Sequence, residues 1–175
     1  MARRQPLPRL WLFTDERLGE QLHAAVERLP RGGGIVFRQY SLALPERRLL
    51  FDALHRVALR RGLMLLLAGT AAQARAWGAD GSHGRGRGTG FRSAPVHDLA
   101  EIRAAERAGA NLLFLSPVFA TRTHPEAVPL GPRRFSRLAH RTHLPVIALG
   151  GMSAERAQKM RALGAYGWAG IDAFA

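Results

Sequence analysis

Two consecutive glycines, Gly150-Gly151, follow the apolar run Val146–Leu149 and stand just before Ser153, a residue type that caps helices. Glycine lets an anion come close to backbone N–H groups, and a helix N-terminus behind them adds partial positive charge. That spacing predicts a phosphate site, with a plain tight turn as the alternative. Gly170-Ile171 would complete the cradle, although Asp172 beside it brings a charge that opposes phosphate. A second polar group follows the run Leu112–Leu115. There, Ser116-Pro117-Val118-Phe119-Ala120-Thr121-Arg122-Thr123-His124 offers hydroxyls, a guanidinium and an imidazole. Connections of this length in compact domains often carry function, and the alternative is a solvated surface loop. Arg38, near the end of Ile35–Tyr40, suits an anionic or planar ligand, or else a salt bridge to a neighbouring strand. His83 and His97 fall at the ends of short runs, where an imidazole can donate to a ligand or serve the framework alone. His140 and His143 lack the nearby carboxylate that would make zinc a good reading.

Composition narrows the function classes. The 175 residues contain no cysteine, which excludes disulfides and thiolate metal sites. Met1 to Pro8 is basic and lacks the apolar stretch of a signal peptide, and Leu63–Ala68, the longest apolar run, is too short to span a bilayer. A cytoplasmic protein that does not enter membranes is expected. A net charge of +13 raises nucleic acid as a partner. Against it, the cations are scattered and all are arginine except Lys159, which reads as compositional bias rather than a footprint. The charge also favours phosphorylated small molecules.

Something must bring these groups together. Apolar runs at Leu10–Thr14, Ile35–Tyr40, Leu63–Ala68, Ser82-His83, Phe91–Val96, Leu112–Leu115, Val146–Leu149 and Tyr166–Phe174 predict eight strands. Helical spacing predicts helices over Leu18–Leu29, Pro45–Arg61 (with Leu49, Leu50, Leu54, Val57 and Ala58 inward), Thr70–Trp77, Leu99–Ala108, Pro132–Thr142 and Ser153–Leu163. Gly84–Gly90 is too rich in glycine for a regular element, which trims the fourth helix, and little chain remains for an eighth. Strictly alternating β and α units imply a parallel sheet, and eight is the closure number of the (β/α)8 barrel. The prediction is one compact (β/α)8 TIM barrel domain over residues 1–175, with an open doubly wound sheet as the alternative. In such a barrel the strand C-termini build the site, and phosphate commonly binds after strands seven and eight.

On these residues the chain resembles the thiamine-phosphate synthase and thiazole tautomerase family of (β/α)8 barrels. Ala79-Asp80-Gly81-Ser82-His83 is similar to the family's Ala-Asp-Gly-Val-His, and His97-Asp98-Leu99-Ala100-Glu101 to its His-Ser-x-x-Glu. Ser116 to His124 resembles Gly-Pro-Val-Phe-Pro-Thr-x-Thr-Lys, and Val146 to Met152 matches Val-x-Ala-Ile-Gly-Gly-Ile. Ala169-Gly170-Ile171-Asp172-Ala173 is similar to Ala-Val-Ile-Ser-Ala. The resemblance implies coupling of hydroxymethylpyrimidine diphosphate to thiazole phosphate, with Mg²⁺ holding the departing diphosphate. It implies that Gly150, Gly151, Gly170 and Ile171 hold phosphate, that Arg38, Thr121 and His124 act on the diphosphate or pyrimidine, and that Thr123 and His83 line the pocket. Small phosphorylated heterocycles are the expected substrates, and a homodimer is allowed.

The departures fall on the diphosphate end. Ala68-Gly69-Thr70 stands where the family has Asn-Asp-Arg, and Arg85-Gly86-Arg87-Gly88 where it has Gly-Gln-x-Asp. Both expected Mg²⁺ aspartates are therefore missing, with Arg38, Arg85, Arg87 and Arg122 as candidate replacements. Weak or lost synthase turnover follows as an expectation. The alternatives are a metal-independent thiazole tautomerase-like enzyme, a thiazole-phosphate-binding relative without catalysis, and a basic nucleic-acid-associated protein using the Gly84–Gly90 tract.

Overall fold

Runs of large apolar side chains bounded by turn residues become strands in the computed structural model, which describes residues 6–122 and 126–174. They are β1 (Leu10–Phe13), β2 (Gly34–Phe37), β3 (Met64–Ala68), β4 (Gly81–His83), β5 (Phe91–Val96), β6 (Leu112–Leu115), β7 (Val146–Leu149) and β8 (Gly167–Gly170). Neighbours pair in parallel in sequence order, and β8 closes on β1 with Trp168 opposite Leu10. The helices are α1 (Leu22–Arg28), α2 (Leu44–Arg61), α3 (Ala71–Trp77), α4 (Leu99–Ala108), α5 (Gly131–Ala139) and α6 (Ala154–Ala162). One α-helix separates each pair of consecutive strands except β4 and β5. This is the closed (β/α)8 barrel that the alternation predicts.

Both faces of the strands are buried, which is why they read as unbroken apolar runs. Side chains alternate across each strand. Trp11, Phe13, Val36, Leu66, Phe114 and Ile147 pack together inside the barrel. Leu12, Ile35, Phe37, Leu65 and Leu67 turn outward onto Leu22, Val26, Phe51 and Leu54, while Leu113, Leu115 and Ala148 meet Ile102, Phe135 and Met160. Gly34 leaves room for the Trp11 ring, from which an added Cβ would stand only 2.3 Å away. Trp11, Phe114 and Phe13 make successive edge-to-face contacts at 5.4 and 4.9 Å, and His83 meets both phenylalanines at 5.3 Å. That aromatic column fills the barrel and ends at the strand C-termini.

Between β4 and β5 the glycine-rich loop replaces a helix. Arg92 of β5 is buried and donates to the Gly86 carbonyl at 2.9 Å and to the Ala108 carbonyl. Arg75 reaches Thr89 Oγ1 at 3.0 Å, and Arg85 pairs with Glu101 at 2.7 Å. No helix among the described residues is long and apolar enough to cross a membrane.

Four expectations are corrected. The helix expected over Leu18–Leu29 is broken into a 3-10 helix, Glu16–Gln21, and α1, because Gly19 takes φ +45°, which an α-helix does not accommodate. Its apolar set, Leu18, Leu22, Ala25, Val26 and Leu29, is buried nevertheless. On α2, Leu49 is 70% exposed; Leu54 and Ala58 are buried as expected, Leu50 and Val57 pack partly buried against the core, and Arg47 and Phe51 join the inward face. Arg47 takes a core position because its guanidinium finds acceptors there, donating at 2.8 Å to the carbonyls of Arg38 and Ala68 and stacking beside Phe37 and Trp77. The last strand stops at Gly170, and Asp172–Phe174 is a 3-10 turn whose Phe174 stacks on Trp168. The fifth helix ends at Ala139, three residues short of Thr142, where the His140 N–H turns back to Ser136.

Candidate active site

Most of the polar groups singled out in the sequence and described in the structure open on one cavity of about 1060 Å³ at the strand C-termini, whereas Arg85, Arg87, His140 and His143 do not line it. Arg38, His83, Thr121, Gly150, Gly151, Gly170 and Ile171 all line it. Thr123 and His124 lie outside the described residues, as does the Asp172 side chain.

The glycine pair is where backbone geometry is most demanding. After β6 the chain bends across the end of β7: Val118 N–H donates to Leu149 O at 2.9 Å and Phe119 N–H to Gly150 O at 3.0 Å. Gly150 adopts φ +97° and Gly151 φ +59°. A Cβ on Gly150 would stand 2.8 Å from Pro117 Cα, and one on Gly151 2.4 Å from the Ala120 carbonyl oxygen. Among the described residues, no backbone acceptor takes the N–H of Gly150 or Gly151. Ser153 then caps α6, accepting from Arg156 N–H at 3.3 Å. Arg156 donates to Gly151 O and lies 4.5 Å over the Phe119 ring, placing a cation beside the glycines. Gly170 and Ile171 form the adjoining wall. Unused amides, a helix N-terminus and a nearby guanidinium make this corner suited to a phosphate.

Across the cavity, Arg38 is fixed by the end of β1. Its Nε donates to Thr14 O at 2.8 Å, its Nη2 pairs with Asp15 Oδ2 at 2.7 Å, and its main-chain N–H donates to Thr14 Oγ1 at 2.8 Å. Arg38 thus lines the cavity and is also held in an ion pair at the end of the neighbouring strand. Burial alone would raise the Asp15 carboxyl, but hydrogen bonds from Arg17 and the charges of Arg38 and Arg17 hold it below the usual carboxylate range. Gln39 follows at φ +45°, a left-handed conformation uncommon outside glycine, and Arg47 bonded to the Arg38 carbonyl pins that turn from below.

His83 forms the floor. Burial, and then the Arg38 charge, push its imidazole down to about 3, so it is neutral, with Nδ1 2.9 Å from Ser93 Oγ. His97 stands at the wall with Nδ1 2.6 Å from the Ser116 carbonyl. A carbonyl only accepts, so Nδ1 carries the proton and Nε2 is the acceptor.

The sequence reading missed several groups that the cavity contains, among them Phe13, Tyr40, Arg134 and Glu126. Phe13 belongs to the aromatic column, and the alternation Trp11, Leu12, Phe13 could have shown it points inward. Tyr40 stands at the rim, 66% exposed. Arg134, in the first turn of α5, lines the wall. It sits in a run of surface arginines, and nothing in the spacing distinguishes it.

A Mg²⁺ ion held for a substrate diphosphate takes one or two carboxylates plus phosphate oxygens. The β3 and β4 ends, where the resemblance places its aspartates, supply no carboxylate. The β3 end supplies Ala68, Gly69 and Thr70, and Thr70 Oγ1 is used as the cap of α3. The β4 end supplies Gly84 and Arg85, the latter paired outside the cavity wall with Glu101. The lining carboxylates are Glu126 and Asp98, the latter accepting from Glu101 N–H through Oδ1 as the cap of α4. Among the described residues, no three histidine or carboxylate side chains converge on a metal position.

Comparison with known proteins agrees with this architecture. The profile of the family described as thiamine monophosphate synthase matches residues 93–174. The thiamine-phosphate synthase of Methanoculleus marisnigri is 32% identical, over 94% of this chain and 86% of its own length. An Aquifex aeolicus protein with the provisional name thiamine-phosphate synthase 2 is 30% identical over 96% of this chain and 98% of its own. Among solved structures, the thiamine phosphate pyrophosphorylase of Pyrococcus furiosus shares the fold at a TM-score of 0.80, with 24% identity, 94% of this chain and 85% of that one covered. By sequence across nearly its whole length and by fold, the chain belongs to the thiamine-phosphate synthase family.

Proposed function

We propose that the protein couples hydroxymethylpyrimidine diphosphate to thiazole phosphate, slowly, in the strand C-terminal cavity. The observation that carries this reading is that one space of about 1060 Å³ is lined both by the Gly150, Gly151 and Gly170 corner and by Arg38. The Gly150, Gly151, Gly170 corner suits the monophosphate of the thiazole. Arg38, at the end of β2, together with Thr121 and Arg122 of the β6 loop beside the glycines, suits the diphosphate and the pyrimidine, and Phe13 and His83 give their rings an aromatic floor. Anchoring both partners removes most of the entropic barrier to their meeting. A synthase without its metal lacks one strong stabiliser of the departing charge, and a single such donor is worth roughly 10²–10³ in rate. Slow turnover is the expected consequence.

The position of His97 favours one second reading. An imidazole with Nδ1 tied to a carbonyl and Nε2 in the wall of a phosphate-anchored pocket suits proton transfer on a thiazole, as in a tautomerase-like enzyme. The deciding experiment incubates purified protein with both precursors, with and without Mg²⁺, and follows thiamine phosphate. Product above the uncatalysed rate supports coupling. No product under any condition removes it, and a thermal shift with thiazole phosphate alone would then support the binding or tautomerase reading.

A further inference from the structure

We infer that Tyr40 is the platform on which the pyrimidine ring of the substrate stacks, and so the residue at the mouth of the cavity that selects a flat heteroaromatic ligand. The identity of the ring rests on the coupling reading above; the aromatic surface at the mouth does not. Among the described residues, the large apolar side chains left exposed are Tyr40, Leu44, Leu49, Leu59, Leu99 and Val128, and of these only Tyr40 and Val128 line the cavity.

Tyr40 is uncovered and yet held. On its N-terminal side, Gln39 turns the chain at φ +45°, and the Arg38 carbonyl is bonded to the Arg47 guanidinium at 2.8 Å. On its C-terminal side, Ser41 donates through both its main-chain N–H and its Oγ to Glu16 Oε1, each at 3.1 Å. The guanidinium of Arg47, a buried residue that stacks beside Phe37 and Trp77, also lies 5.6 Å from the centre of the Tyr40 ring. The fold therefore fixes this residue from three directions while leaving 66% of it to solvent. Packing does not account for the exposure, and the turn does not leave the ring loose.

A ring already ordered before binding loses little further entropy when a ligand stacks on it. Tyrosine supplies that contact over a large area, and aromatic pairs gain beyond the area they bury. The wall below is continuous with it, since the Arg38 guanidinium lies 5.5 Å from the centre of the Phe13 ring at the cavity floor. A ligand without a π face gains nothing from Tyr40, so the platform discriminates by ring and not by charge.

The test is calorimetric titration of the full chain with hydroxymethylpyrimidine, which has the ring and no phosphate, and with inorganic phosphate, which has no ring. Tyr40→Leu keeps an apolar side chain and removes the π face, whereas Tyr40→Phe removes only the hydroxyl. Hydroxymethylpyrimidine should bind Tyr40→Phe within about twofold of wild type and Tyr40→Leu about fivefold or more weakly. Inorganic phosphate affinity should stay within about twofold in both variants, and the coupling assay should show a raised KM for the pyrimidine diphosphate in Tyr40→Leu alone. No binding of hydroxymethylpyrimidine to wild type, equal binding to Tyr40→Leu, or an equal loss of inorganic phosphate overturns the inference. Sedimentation that shows Tyr40→Leu separating a dimer, with ring affinity unchanged, overturns it in favour of a contact between copies of the chain. Coupling with the same pyrimidine KM in wild type and Tyr40→Leu overturns it while leaving the proposed function standing. Tyr40-dependent ring binding without product under any condition supports it while removing the coupling reading.

Discussion

Replacing Gly150 with alanine tests whether the β6 loop and the glycine corner form one unit. Two costs add. At φ +97° an L side chain is strained, typically by about 1–3 kcal/mol. The new Cβ would also stand 2.8 Å from Pro117 Cα, 2.9 Å from Pro117 Cβ and 3.2 Å from Val118 N, so backbone must shift, at about 1–3 kcal/mol for such overpacking. Loss of glycine's freedom in the unfolded chain returns about 0.4–1 kcal/mol. The net is a destabilisation of about 1–5.6 kcal/mol, or a fall in Tm of roughly 2–22 °C for a chain of this size. Gly86→Ala is the control, since an added Cβ there meets nothing within 4 Å, and it should change stability by no more than about 0.5 kcal/mol. Differential scanning calorimetry gives both numbers, and titration with thiazole phosphate should show weaker binding in Gly150→Ala alone. If Gly150→Ala melts with the control and binds like wild type, the close approach of Pro117 is not real and the corner needs another explanation.

The remaining predictions concern the groups around it. His83 is neutral in the fold with its pKa pushed down to about 3, while an unfolded histidine titrates near ~6.5. Its contribution is therefore fully present above pH ~6.5 and is lost as pH falls toward 3, with a slope approaching ~1.4 kcal/mol per pH unit. Urea melts from pH 4 to 7 should show that slope in wild type and lose this component in His83→Gln, leaving the acid dependence of carboxylates such as Asp15. Arg47→Leu should cost about 2–4 kcal/mol, because the carbonyls of Arg38 and Ala68 lose their donor in a buried place, and chemical denaturation reads it directly. Asp15→Ala leaves the largely buried Arg38 charge unpaired and should cost about 3–5 kcal/mol by the same measurement.

What the sequence made legible follows from periodicity. Runs such as Leu112–Leu115 and Val146–Leu149 are buried on both faces, so apolar continuity alone marks them, and eight of them in alternation give the barrel and the end on which its site lies. Gly150-Gly151 and Arg38 were legible because a turn and a strand end admit few residue types. Arg134 was not, since a cavity arginine and a surface arginine look alike in a basic helix. Arg47 was hidden for the opposite reason: a charged residue is expected outside, and only the convergence of two strand-end carbonyls makes an inward position favourable. The break at Gly19 depended on one glycine's φ, which helical spacing cannot report. The missing aspartates at the β3 and β4 ends were legible from identity, whereas the partners of the arginines near them were not. Arg85 reads as a candidate replacement for the metal until its ion pair with Glu101 is seen.

The most direct check of the central claim is a two-dimensional amide NMR titration of the protein with thiazole phosphate. The account predicts that the largest shifts fall on the N–H signals of Gly150, Gly151 and Gly170 together. Shifts confined to the helical arginines, or absent at the glycines while the ligand binds, would contradict it.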